Sequence, residues 1–203
     1  MNQNRALPYQ TVAITTNRPS VIDIYAQLMV YAAGIPNDDL FAKMLASQAI
    51  GSGILPVHLG LRKSIFTTLF RRHFPGANLP KISPMLVRTL NKIRLVERED
   101  LKALLLEHRA DRDQSEVELA EIVAAACMGG NHLWQDLGLW SRADVTQLIT
   151  QNFPTLAAKN IHDMKWKKFL YKQLCQQAGV YVCRAPSCEV CVDYVHCFGV
   201  EEG

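Results

Sequence analysis

The chain has 203 residues, 49% of them hydrophobic, with a formal net charge of +3, which suits one domain whose core can form without a disulfide or metal staple. The basic excess is too small and scattered to argue for nucleic acid, and charge by itself points to no partner. The opening "MNQNRALPYQTVAITTNRPS" lacks a secretion-signal pattern and no apolar run reaches the roughly 18 residues that span a bilayer, so a cytoplasmic protein without membrane contact is expected.

Residues 1–19 read as a flexible tail and 20–203 as one helical domain. "SVIDIYAQLMVYAAG" places Ser20 at a cap and Ile22, Tyr25, Leu28 and Met29 at helical spacing, with a stop at Gly34 before Pro36. In "NDDLFAKMLASQAIGSG", Asn37 or Asp38 caps a helix that puts Leu40, Phe41, Met44 and Leu45 on one face and ends before Gly51. "LGLRKSIFTTLFRRHFPG" sets Leu61, Ile65, Phe66, Leu69 and Phe70 at helical spacing, closed by Pro75 and Gly76. "SPMLVRTLNKI" offers Ser83 as cap and Pro84 at the first helical position, and "EREDLKALLLEHR" follows as another helix. "SEVELAEIVAAACMGG" reads as a helix with a capping box between Ser115 and Glu118, ended by Gly129 and Gly130. "SRADVTQLITQNFP" starts from Ser141, and "DMKWKKFLYKQLCQQAG" stops at Gly179. No stretch alternates at period two, so the fold class expected is all-α, about seven to nine helices by this pattern count, with a cysteine-rich loop over 181–199.

That loop holds four of the six cysteines, Cys183, Cys188, Cys191 and Cys197, in the spacing C-x4-C-x2-C-x5-C. In a reducing compartment clustered thiols serve as metal ligands more often than as bridges. A structural zinc draws its sulfurs to about 2.3 Å, usually from two tight C-x2-4-C hairpins, and this loop has one tight pair. An iron–sulfur cluster asks each thiolate to reach a different corner of a larger object, which a short loop stiffened by Pro186 can do. A plant-type [2Fe–2S] site needs its fourth cysteine far downstream, whereas six residues follow Cys197. Helix-hairpin-helix DNA glycosylases also end in a cysteine cluster, but the one candidate hairpin, "HFPGANLPKI", lacks the second glycine that lets backbone approach phosphate. That class and a structural zinc-binding interaction module stand as the alternatives.

"DMKWKKFLYKQLC" and "CRAPSCEVCVDYVHCFG", with "AAACMGGNHLWQDLGL" and "NFPTLAAKN", together resemble the NifQ family of nitrogenase iron–molybdenum cofactor biosynthesis proteins, closely over 115–199 and diffusely over 20–114. The resemblance implies an iron–sulfur molybdenum carrier that binds a Mo–Fe–S cluster of [4Fe–4S], [3Fe–4S] or Mo–Fe3–S4 type. It implies Cys183, Cys188, Cys191 and Cys197 as its ligands. It also implies molybdate or a Mo–S species as the metal source, and as partners the nitrogenase cofactor-assembly scaffold (NifEN) and the nitrogenase iron protein (NifH).

Accessory ligands are sought first at Cys127 and His132, which flank the Gly129-Gly130 turn. Beside this stands the plainer reading of a buried thiol and a helix-capping imidazole. His108, His162 and His196 are further candidates, and Cys175 reads as core. Lys165, Lys167, Lys168 and Lys172 form a basic run that either attracts an anion or is a solvated helix face. No nucleophile–base pair, phosphate loop or paired carboxylates can be recognised, so a carrier is expected rather than an enzyme.

Overall fold

The computed structural model describes residues 19–81, 95–177 and 194–198. Among them every regular element is helical: α1 (Val21–Met29), α2 (Asp38–Ala49), a 3-10 turn (Val57–Gly60), α3 (Lys63–His73), α4 (Leu95–Glu107), α5 (Ser115–Ala126), α6 (Leu133–Leu137), α7 (Arg142–Asn152), α8 (Pro154–Ala157), α9 (Trp166–Gln177) and α10 (Tyr194–Phe198). The all-α expectation holds. The helix read over "SPMLVRTLNKI" lies outside the described residues, as do residues 1–18 of the expected tail.

Local rules explain most starts and stops. The Ser20 hydroxyl accepts from Asp23 N–H at 3.1 Å while the Asp23 carboxylate accepts from Ser20 N–H at 2.9 Å, a reciprocal cap on α1. This helix ends at Met29, short of Gly34, because the chain turns to let Ala33 N–H donate to the His73 carbonyl at 2.9 Å. Leu40, Phe41, Met44 and Leu45 of α2 are all buried, as their spacing requires. Asn37 precedes α2 with φ 74° and does not cap it. Its side chain instead donates to Ser115 Oγ and Asn152 Oδ1, both at 2.8 Å, tying α2 to α5 and α7 in the interior.

The expected capping box at Ser115 does not form. The α5 helix begins at Ser115 itself, one position later than a cap would stand, and the Ser115 hydroxyl donates to Asp113 at 2.5 Å. Asp113 caps instead, accepting the Ser115 N–H at 2.8 Å, and the Glu116 carboxylate ties down the lead-in by accepting the N–H groups of Asp111, Arg112 and Asp113 at 2.8, 3.0 and 3.2 Å. Burial pushes the carboxyl of Glu118 up from its ordinary value, and one of its oxygens has no hydrogen-bond partner.

α5 is the axis of the molecule. Leu119, Ala120, Ile122 and the run Val123 to Ala126 are fully sealed from solvent, so from Ile122 on this helix is apolar all round and needs neighbours on every side. α4, α6 and the 3-10 turn pack against it, and α9 closes over α4. The alanines permit close approach: at Gly60 an added Cβ would sit 3.4 Å from that of Ala125. α1 lies on α2, and α7 on α8, around the same core.

Candidate metal centre

Cys183, Cys188 and Cys191 lie outside the described residues, and Cys197 lies within them. The span expected as loop is helical over Tyr194–Phe198, so Cys197 comes from a short helix, α10. This helix is seated on the first turn of α9. Lys165 N–H donates to the Cys197 carbonyl at 2.9 Å, and Lys165 Nζ donates to the Val195 carbonyl at 3.4 Å. Cys197 is half-buried and forms no disulfide, its sulfur 4.0 Å from Lys168 Nζ, and Phe198 beside it packs against the core. An ammonium at that distance offsets thiolate charge and can stay in place when the sulfur takes a metal. Among the described residues no group of three or more His, Cys, Asp or Glu side chains is placed to hold a metal ion.

The α9 first turn has a second neighbour, the turn between α5 and α6. Cys127 closes α5 with 1% of its surface exposed, and its carbonyl accepts from the Tyr171 hydroxyl at 3.3 Å. His132 stands at the cap of α6, where its N–H donates to Gln135 Oε1 at 3.1 Å. Cys127 is thus a buried thiol, and His132 stands at the start of a helix. Between them, Gly129 has no space for a side chain, because a Cβ there would overlap the Asp136 carboxylate. Asp136 is fully buried and accepts from the backbone N–H of Asn131 at 3.1 Å and from its side-chain amide at 3.2 Å.

The cation that answers Asp136 is Lys167. Its ammonium pairs with the Asp136 carboxylate and donates to the carbonyls of Gly129 at 3.1 Å and Asn131 at 2.7 Å. The basic run is thus not one solvated face. Lys167 points into the α5–α6 turn, Lys165 and Lys168 hold α10, and Lys172 is half-buried further along. Sequence reasoning missed Asp136 as a site-building residue; its one signal is an acid between the apolar pairs of "LWQDLG", next to Gln135.

The remaining candidates lie elsewhere or outside the described side chains. His108 bonds Thr155 Oγ1 at 2.8 Å through Nδ1 and faces Lys159 Nζ at 3.1 Å through Nε2. His162 is exposed, and the side chain of His196 is outside the described set. Cys175, expected in the core, is half-buried on α9 instead: the fully buried face of that helix is made by Trp166, Phe169 and Leu170. The "HFPG" turn is engaged in packing, with Phe74 sealed and His73 Nδ1 2.7 Å from Asp38 Oδ1. Within the described residues no helix is long and apolar enough to cross a membrane.

The family model for NifQ matches residues 40–199. Protein NifQ of Azotobacter vinelandii is 46% identical over 168 residues, covering 78% of this chain and 86% of that protein. Protein NifQ of Klebsiella pneumoniae is 38% identical over 154 residues, 73% of this chain and 90% of its own length. Protein NifQ of Rhodobacter capsulatus is 36% identical over 162 residues, 78% and 86% respectively. No solved structure matches the chain. The matched span runs from within α2 through α10, with the glycine turn, the Asp136–Lys167 pair and all four clustered cysteines, and on that evidence the chain belongs to the NifQ family.

Proposed function

We propose that this chain is an iron–sulfur molybdenum carrier. In this reading Cys183, Cys188, Cys191 and Cys197 hold a Mo–Fe–S cluster whose molybdenum, the cargo, is passed to the nitrogenase cofactor during assembly. Family membership supports nitrogen fixation and molybdenum as the setting. The observation that carries the ligand assignment is the seat of Cys197: a half-buried thiol outside any disulfide, with the Lys168 ammonium 4.0 Å from its sulfur.

The donor set fits such a group. Four soft thiolates within fifteen residues suit iron and sulfide, and the one that is described sits on a helix end fixed by the Lys165 N–H. When bound, the cluster supplies the sulfide positions that retain molybdenum. The chain anchors it, offsets its negative charge at Lys168, and screens one side with the packed Phe198. A carrier must also release what it holds, and ligands on a short terminal segment resting on a rigid body allow that without unfolding the core. The recipients are the cofactor-assembly scaffold and the nitrogenase iron protein, and no turnover chemistry by this chain is required.

The test is iron, sulfide and molybdenum analysis of anaerobically purified protein, with Cys191→Ser and Cys175→Ser beside it. Cys191 closes the tight pair with Cys188, and a serine oxygen is a poor ligand for iron, so that variant loses most of its metals and its delivery to a cofactor-assembly mixture. Cys175→Ser keeps both. A colourless protein with one tightly bound zinc would make the chain a structural module, and base excision from duplex DNA would make it a glycosylase. Normal delivery by Cys191→Ser would remove the terminal cysteines from the site.

A further inference from the structure

The ammonium of Lys167 fills an oxygen cage made by one buried carboxylate, Asp136, and two carbonyls, Gly129 at 3.1 Å and Asn131 at 2.7 Å. Asn131 completes the closure by donating its backbone and side-chain N–H groups to Asp136. Gly129 must lack a side chain for the carboxylate to lie there. The chemistry is that of a site for a monovalent cation, with the cation tethered to α9. On the same helical turn, Lys165 and Lys168 make the contacts that seat Cys197. Residues advance about 100° apiece around a helix, so this turn touches the glycine loop on one side and the ligand helix on another.

We propose that Lys167 is a positioning residue for the metal centre: its tethered ammonium couples closure of the loop 128–132 to the seating of Cys197 on α9. Without that charge, the buried carboxylate keeps its Asn131 donors but loses its cation, two carbonyls lose a donor, and the loop opens to water to solvate them. The first turn of α9 then loses its tie to the loop, and the amide that holds α10 moves with it. The consequence for metal binding rests on the carrier reading. The coupling itself is a property of the metal-free chain.

The experiment uses the full chain with Lys167→Met, which deletes the charge, Lys167→Arg, which keeps it, and Lys167→Ala, which leaves room for an added amine. Amide exchange is followed at Asn131, which reports loop closure, and at Lys165, which reports α10 seating, with circular dichroism as the fold check. In metal-free protein, Lys167→Met speeds both amides at least tenfold at unchanged helix content, Lys167→Arg does so less, and propylammonium slows both again in Lys167→Ala. After anaerobic reconstitution Lys167→Met retains less than half the iron of the unmodified chain. Acceleration at Asn131 with Lys165 unchanged would overturn the coupling, as would equal iron retention despite faster exchange at both. If Lys167→Met unfolds, recovery of Lys167→Ala by propylammonium supports the cage, and no recovery overturns it. An unmodified chain that takes up no cluster defeats the carrier reading alone, since the exchange measurements still report the coupling.

Discussion

Gly129 and Gly130 stand side by side, yet the structure asks different things of them. At Gly129 a methyl group would occupy the position of the Asp136 carboxylate, while at Gly130 nothing lies within 4 Å of an added Cβ. Gly129→Ala therefore pushes a buried charge off its cation and costs about 1–3 kcal/mol, the usual range for overpacking. Gly130→Ala stays within about 0.5 kcal/mol of the unmodified chain, as exposed substitutions do. Urea unfolding of the two metal-free variants measures the difference, and equal effects would mean that the pair is only a helix stop. This is also the limit of reading glycines as punctuation. The Gly-Gly signal correctly ended α5, but the requirement at the first glycine comes from Asp136, seven residues on, and through it from Lys167.

At the scale of the helices, two similar-looking starts behave differently. Ser141 caps α7, its hydroxyl accepting from Asp144 N–H at 3.2 Å, so Ser141→Ala costs about 1 kcal/mol. Asp144 itself is buried, which opposes its charge, but the Lys43 hydrogen bond and charge outweigh this and hold its carboxyl below the ordinary range. Glu118 looks from the sequence like the partner in a box with Ser115, but α5 is closed by Asp113 and Glu116 instead. Glu118→Gln consequently costs no stability, since it removes a charge that burial opposes, where a broken cap would cost about 1 kcal/mol. Thermal melting of Ser141→Ala and Glu118→Gln at neutral pH separates the two. A loss at Glu118 as large as at Ser141 would restore the box.

Two buried imidazoles, His73 and His108, weaken the fold as pH falls. Burial lowers the His73 pKa from its ordinary 6.5 even though the Asp38 carboxylate pulls the other way. Burial, followed by the charge of Lys159, lowers that of His108 from the same value. In each case the unfolded chain binds the proton first. Stability is thus complete above pH 6.5 and falls as pH drops from 6.5 toward the folded values, because the unfolded state then carries more protons. The carboxyls of Asp113 and Asp144, held below their ordinary 3.8, add stability that is lost only at much lower pH. Melting of the metal-free chain from pH 7.5 to 5.5 checks this, and His108→Gln flattens the slope by removing one titrating group. A melting temperature that is constant over this range, or higher at its acid end, would contradict it.

Helix type and helix faces were legible in the sequence because they depend on near neighbours. Leu40, Phe41, Met44 and Leu45 repeat at the helical period, and Ser20 and Ser141 cap through bonds three residues long. The cysteine spacing and its family resemblance were legible for the same reason: both are local in sequence. Other features required the fold, since they join residues far apart. Asn37 meets Ser115 and Asn152 across 78 and 115 positions, and Lys167 reaches Asp136 across 31. Neither pairing leaves a periodic trace, because a buried polar group must find a partner wherever packing brings one. The sequence alone thus determined an all-helical body with four clustered thiols at its end. Packing decided that α10, rather than an open loop, carries the last of them, and that a lysine of α9 closes the glycine turn beside it.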